Sequence, residues 1–208
     1  MREPAVIFDF GNVVAFFDYL KACERLAPRL GLTAEAFRER ITERGFASLL
    51  GRFECGAIPP EQFANELMSL SGLKLPYHEF VEAWQDIFWL NEPIARLIGQ
   101  LDSAGYTLLL GSNTNVLHST YYRRRFSSTL DRFDKFVLSH EVGHMKPAAE
   151  FYTACVAAAG LPAASCLFVD DLYENVEGAR GVGLVGLHYV DTPSLITEMG
   201  RLGVDVGA

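Results

Sequence analysis

Three carboxylates, a serine and a lysine stand where apolar runs of this sequence stop. Asp9 follows Ala5-Val6-Ile7-Phe8, and Ser112 with Asn113 follows Leu108-Leu109-Leu110-Gly111. Asp170 and Asp171 follow Leu167-Phe168-Val169, and Lys146 stands just before Pro147, a residue suited to open the next helix. If the apolar runs are neighbouring strands of one sheet, all these side chains gather at one edge. Carboxylates that close repel one another unless a cation joins them, and a hard cation such as Mg2+ takes oxygen ligands. A lysine and a hydroxyl beside the cluster suit a phosphoryl group, with helix amides as further donors. The chemistry indicated is metal-assisted handling of phosphate.

The elements that must position these groups are legible in the hydrophobic pattern. Strands are expected at 5–10, 106–111, 135–138, 166–170 and 184–190, apolar on both faces as parallel strands between helical layers should be. Helical periodicity marks 92–104, 114–125, 147–160, 172–181 and 193–202. The alternation predicts an α/β fold, a doubly wound, Rossmann-like parallel sheet with helices on both faces. Ligands of such sheets bind beyond the carboxyl ends of the strands.

Segment 16–90 breaks the rhythm. It reads as amphipathic helices near 18–31, 34–50, 60–71 and 77–89 without a strand, broken at Gly31, Gly51, Gly56, Pro59-Pro60 and 72–76. Too long for a single crossover, it is expected to be an inserted α-helical cap over the strand ends. The expected division is a catalytic core of 1–15 and 91–208 and a cap of 16–90, hinged near 14–17 and 90–92.

Four motifs occur in order: DFGNV from Asp9, GSNTN from Gly111, KP at Lys146, and VDDLYEN from Val169. Together they resemble the haloacid dehalogenase (HAD) superfamily, in its small helical-cap form. The runs GNVV, GSNTNVLHSTYY and VGHMKPAAEFY are similar to its bacterial α-D-glucose-1-phosphate phosphatase branch. The resemblance covers the core and implies that Asp9 attacks phosphorus, forms a phosphoaspartate and ligates Mg2+. It implies that Gly11 offers a backbone carbonyl to the metal, and that Ser112, Lys146 and the amide of Asn113 hold the phosphoryl oxygens. Asp171 would bind the metal directly, while Asp170 and Asn175 would act through water or orient its ligands. Asp171 and Asn175 are four apart, which a helix start places on one face. The implied activity is Mg2+-dependent hydrolysis of a small phosphorylated metabolite, with a sugar phosphate such as glucose 1-phosphate favoured.

Two residues after the nucleophile, that family carries a second aspartate, which protonates the leaving oxygen and later activates water. Gly11 stands there instead. Acid–base help of this kind is worth ~10²–10⁴ in rate. Its loss favours substrates whose leaving oxygen is already acidic, as in anomeric or aryl phosphates, or moves the duty to another group. Asp18 at the cap hinge is one candidate, and a residue of the RFECG stretch at 52–56 is another. Asp18 serves equally well as a helix cap, and RFECG as a helix–helix turn.

Two other readings compete. A 2-haloacid dehalogenase also lacks the second aspartate and attacks carbon with the first, but has no use for Asp170, Asp171 and Asn175 around a cation. A catalytically weakened HAD-fold protein would only bind a metabolite or a partner. His118 reads as a core or surface histidine before any specific role. Phe16, Phe17, Trp84, Phe88 and Trp89 read as packing between cap and core before pocket lining.

Composition narrows the partners. Of 208 residues 50% are hydrophobic, ample for a core, and 18 lysines and arginines against 26 acids leave a net charge of −8. Without a basic tract, nucleic acid and anionic membranes are poor partners, whereas a phosphate needs only a few local donors. No apolar stretch reaches the length of a membrane span, and the N-terminus lacks the signal-peptide pattern. A cytoplasmic monomer or homodimer is expected. Cys23, Cys55, Cys155 and Cys166 have no metal spacing and read as free packing thiols.

Overall fold

The computed structural model describes residues 4–204. The chain opens with β1 (Ala5–Phe8) and β2 (Ala15–Phe17), and then enters the inserted segment. There follow α1 (Leu20–Leu26) with a 3-10 turn at Ala27–Leu30, α2 (Ala34–Glu43), α3 (Phe46–Glu54), α4 (Pro60–Ser71), α5 (Tyr77–Gln85) and β3 (Phe88–Leu90). The next stretch holds α6 (Glu92–Ser103), β4 (Thr107–Ser112), α7 (Val116–Arg125), α8 (Ser127–Leu130), β5 (Lys135–Leu138), α9 (Ser139–Val142) and α10 (Ala149–Ala159). Last come β6 (Cys166–Asp170), α11 (Tyr173–Gly181), β7 (Val185–His188) and α12 (Thr192–Arg201).

Five strands form one parallel sheet in the order β5-β4-β1-β6-β7. Successive residues of a strand point to opposite faces, so apolar runs here feed two cores. Val6, Phe8, Leu108, Leu110, Leu167 and Val169 pack with Ile94, Leu97, Tyr122, Leu195 and Met199 on one side. Ala5, Ile7, Leu109, Cys166 and Phe168 pack with Phe151, Tyr152, Cys155 and Ala179 on the other. From β1 the sheet is extended one way by β4 and β5, and the other way by β6 and β7. The order therefore reverses between β1 and β6, which opens a crevice at their carboxyl ends.

The inserted segment has its own core, in which Phe37, Leu49, Phe53, Phe63, Phe80 and Trp84 are buried together. Phe53 stacks on Phe63 with centroids 4.2 Å apart. Two expectations need correcting. The helix expected over 34–50 is split at Gly45, whose φ of 95° is left-handed and ends α2 before α3 begins. The segment is also not strand-free: α5 stops at Gln85, and β3 pairs antiparallel with β2 in the register Ala15–Leu90, Phe16–Trp89, Phe17–Phe88. Aromatic residues favour such cross-strand pairs, and Phe16–Trp89 and Phe17–Phe88 each lie about 6.1 Å apart. The two chains entering and leaving the cap are thus zipped together. Asn91 secures this ribbon to the core by donating to the Val13 carbonyl at 2.8 Å.

Candidate active site

The crevice between β1 and β6 collects the motif residues because each strand ends on one of them. Asp9 is the residue after β1, and its amide donates to the Val169 carbonyl of β6 at 2.8 Å. Asp170 ends β6 and Ser112 ends β4, both buried. Lys146 arrives from the loop between α9 and α10. Pro147 lies in that loop, since α10 begins only at Ala149.

Lys146 is the hub. Its ammonium lies 2.7 Å from Asp9 Oδ1 and 2.7 Å from Asp170 Oδ2, and donates to the Gly111 carbonyl at 3.2 Å. All three protons of the ammonium are thereby engaged. Burial alone would favour the neutral amine, but the two carboxylates outweigh it and hold the Lys146 pKa above its usual value. Asp9 shows the other side of the balance: burial drives its carboxyl up, against the pull of Lys146. The backbone of Lys146 is fixed as well. Its amide donates to Asn113 Oδ1 at 2.8 Å, and Asn113 Nδ2 donates to its carbonyl at 3.0 Å. The Asn113 side chain thus ties the lysine loop to the turn after β4.

Asp170 has no oxygen to spare. Oδ2 faces Lys146, and Oδ1 accepts from the Leu172 amide at 2.9 Å and from Asn175 Nδ2 at 3.0 Å. Asn175 therefore pairs with Asp170, not Asp171, and Asp171 itself precedes α11 instead of sharing its face. Asp171 is half-buried, its carboxyl raised chiefly by burial, and its Oδ2 accepts from Asn12 Nδ2 at 3.2 Å. Asp9, Asp170 and Asp171 each offer an oxygen within 4.8 Å of the others. Asp9 uses Oδ1 for Lys146 and the Phe10 amide, and Oδ2 meets no donor among the described residues.

The opposite wall is built by the cap. Phe17 presses on Gly11, so that a Cβ at that position would stand 2.9 Å from Phe17 Cε1. Phe17, Tyr19 and Glu54 line a cavity of about 240 Å3 together with Asp9, Gly11, Asn12, Asn113, Lys146, Asp171 and Asn175. Asp18 is elsewhere. It is exposed, its Oδ1 accepts from the Leu20 amide at 2.8 Å, and it lines a separate cavity inside the cap. Its carboxyl closes the turn that follows β2, and it does not line the cavity that holds Asp9.

His118 is buried, and burial holds its pKa down at about 3. Its Nε2 faces the Trp84 carbonyl at 3.3 Å and its Nδ1 faces Asn115 Nδ2 at 3.1 Å, so a neutral ring donates to the first and accepts from the second. With Trp84 stacked on it at 5.4 Å, it joins α7 to the cap. Of the aromatics, Phe17 and Phe88 line the site, while Phe16 and Trp89 pair with each other across the ribbon.

Asn12 and Tyr19 line the site without a role legible in the sequence. Asn12 holds a left-handed φ of 56°, a conformation that asparagine tolerates better than most residues, and this turn carries its amide to Asp171. An asparagine after glycine signals a turn; the contact across the sheet carries no local signal.

Residues 4–183 match the haloacid dehalogenase-like hydrolase family. The D-ribitol-5-phosphate phosphatase of Bacteroides thetaiotaomicron is 30% identical over 186 residues, covering 86% of this chain and 87% of that protein. The sesquiterpene phosphatase astK of Aspergillus oryzae is 31% identical over 202 residues, covering 95% of each. A HAD family enzyme of Bacteroides thetaiotaomicron, solved with magnesium and inorganic phosphate, aligns with a TM-score of 0.79 over 93% of this chain and 99% of that one. Its identity of 22% makes it a likeness of fold. On the family match and the two relatives, this chain belongs to the haloacid dehalogenase-like hydrolases.

Proposed function

We propose that the protein is a Mg2+-dependent phosphomonoesterase that hydrolyses a small phosphorylated metabolite through a phosphoaspartate at Asp9. One observation carries the reading: the buried Lys146 ammonium lies 2.7 Å from both Asp9 and Asp170, beside a third carboxylate, Asp171. Three carboxylates against one ammonium leave a net negative site, which repels a phosphate until a divalent cation joins it. The donor set fits Mg2+, since it is all oxygen and Asp9 Oδ2 has no donor among the described residues. Asp9, Asp171 and the Gly11 carbonyl would hold the ion, with Asp170 and Asn175 as supports. Mg2+ would offset the charge on the phosphoryl oxygens and polarise phosphorus for attack.

The rest falls to the chain. Asp9 attacks phosphorus, Lys146 and Ser112 hold phosphoryl oxygens, and Asn113 keeps the Lys146 loop in place. A dehalogenase, attacking carbon, would leave the carboxylate trio without a purpose. Asn12, Asn113, Asn175, Tyr19 and Glu54 give the cavity hydrogen-bonding walls, which suits a sugar phosphate such as glucose 1-phosphate. The D-ribitol-5-phosphate phosphatase supports that substrate class; the sesquiterpene phosphatase, equally similar, is named for a very different one.

The test is release of phosphate from an aryl phosphate, with and without Mg2+. Activity is expected only with the metal, and Asp171→Ala is expected to weaken activity and metal dependence together. Full activity in excess chelator would contradict the reading.

A further inference from the structure

We propose that Glu54, brought in by the cap, is the general acid and base that the core lacks at position 11; this rests on the phosphatase reading above. Gly11 supplies no proton, and the Phe17 ring fills the space a side chain there would need. Glu54 ends α3 and lines both recesses that Gly11 lines. One holds Asp9, Lys146 and Asp171, and the smaller one, about 50 Å3, holds Ser112, Asn113 and Phe88. The other titratable groups on these walls are committed. Lys146 is pinned between Asp9 and Asp170 and serves the phosphoryl oxygens, and neutral His118 spans Asn115 and Trp84. Burial keeps the Tyr19 phenol protonated. Asp9 and Asp171 belong to the phosphate and metal side. Glu54 is the carboxyl that remains.

Its backbone is anchored to the core. Ser139 Oγ lies 2.6 Å from the Glu54 carbonyl, and accepts from the Thr114 amide, two residues beyond Ser112, at 2.9 Å. Gly56 completes the anchor. Its left-handed turn lies so close to α9 that a Cβ would run into the His140 carbonyl oxygen. The carboxyl itself is lightly held, its one partner among the described residues being Tyr19 Oη at a long 3.5 Å. A fixed backbone and a loosely held carboxyl are what a proton shuttle needs. Burial also pushes the Glu54 pKa up to about 7, near the optimum for a group that must give and take a proton at neutral pH.

The steps balance. As an Asp9 oxygen bonds to phosphorus, the bond from phosphorus to the leaving oxygen breaks, and the Glu54 proton goes to that oxygen. A water then attacks the phosphoaspartate and gives its proton to the Glu54 carboxylate, while the bond from phosphorus to Asp9 breaks. Alcohol and phosphate leave, and Glu54 is protonated again. With this group in place, the substrate need not have an acidic leaving oxygen.

The test compares wild type and Glu54→Gln on aryl phosphates of graded phenol acidity in Mg2+. Loss in the variant is expected to grow as the phenol becomes less acidic, reaching ~10²–10⁴-fold for the poorest leaving groups. The rate should therefore depend more steeply on phenol acidity in the variant. With an acidic phenol, phosphoenzyme should accumulate at Asp9, because its hydrolysis has lost the base. Glu54→Asp, keeping a carboxyl on a shorter stem, should retain more activity. An unchanged slope in Glu54→Gln, or equal losses in both variants, would overturn the role of Glu54 and leave Asp9 standing. A wild type without Mg2+-dependent turnover, or an active Asp9→Asn, would instead remove the phosphatase reading itself.

Discussion

The two walls of the candidate catalytic crevice are built on opposite plans. On the core wall most polar groups are restrained: both oxygens of Asp170 have donors, Lys146 spends three protons, and Asn113 grips the lysine backbone from both sides, while Asp9 Oδ2 faces the crevice without a donor among the described residues. On the cap wall a single carboxyl, Glu54, has one long hydrogen bond among the described residues and shares its recess with Phe17 and Phe88 of the ribbon. A phosphoryl group has one shape in every substrate, so rigid, preorganised groups can serve it. The leaving group varies and must be protonated at the moment of departure. Assigning it to an insertion leaves the phosphate machinery untouched while that wall changes.

Stability measurements should separate the walls. The largest effect is expected from Lys146→Met, which leaves Asp9 and Asp170 buried without their cation. Loss of one partner from a buried ion pair costs about 3–5 kcal/mol. Denaturant melts in chelator should show that loss, and Mg2+ should recover part of it.

The cap wall should respond in the opposite sense. The folded pKa of Glu54, about 7, lies above its ordinary 4.5, so its contribution is complete below pH 4.5 and disappears as pH rises through 7. Ionised Glu54 therefore weakens the fold at high pH. Glu54→Gln should gain about 1–3 kcal/mol relative to wild type between pH 4.5 and pH 8, read from paired melting curves. A variant that loses stability uniformly over that range would show that Glu54 belongs with the restrained groups.

The smallest effect is expected at Asp18. Asp18→Ala removes one exposed hydrogen bond to the Leu20 amide and should cost about 0.5–1 kcal/mol. Turnover, and its dependence on phenol acidity, should stay as in wild type. A steeper dependence would place the missing acid at the hinge after all.

The contrast also explains what sequence could reveal. Asp9, Ser112 and Asp170 are legible because each ends a strand buried on both faces, and a run of apolar residues ending in a polar one is a local pattern. The α/β layering follows from the same runs. The β2–β3 ribbon was invisible: two three-residue strands, separated by the whole cap, announce themselves only when Phe17 meets Phe88. In the chain the substitute acid could be Asp18 at the hinge or a residue of RFECG, and nothing local singles out Glu54. Only the docking of α3 on α9 through Gly56 and Ser139 brings Glu54 to Gly11 and leaves Asp18 outside. Strand ends are written locally, whereas the cap wall is written in tertiary contacts.

The most direct test of the chemistry is to catch the phosphoryl group on the chain. Wild-type protein would be mixed with an aryl phosphate of an acidic phenol and Mg2+, quenched in acid during turnover, trapped by reduction and digested for mass spectrometry. The label is expected on the peptide that holds Asp9, in amounts that rise before steady-state phosphate release, and neither label nor turnover is expected in Asp9→Asn. Full phosphate release with Asp9 unlabelled, or Asp9→Asn turning over at the wild-type rate, would contradict the phosphoaspartate mechanism.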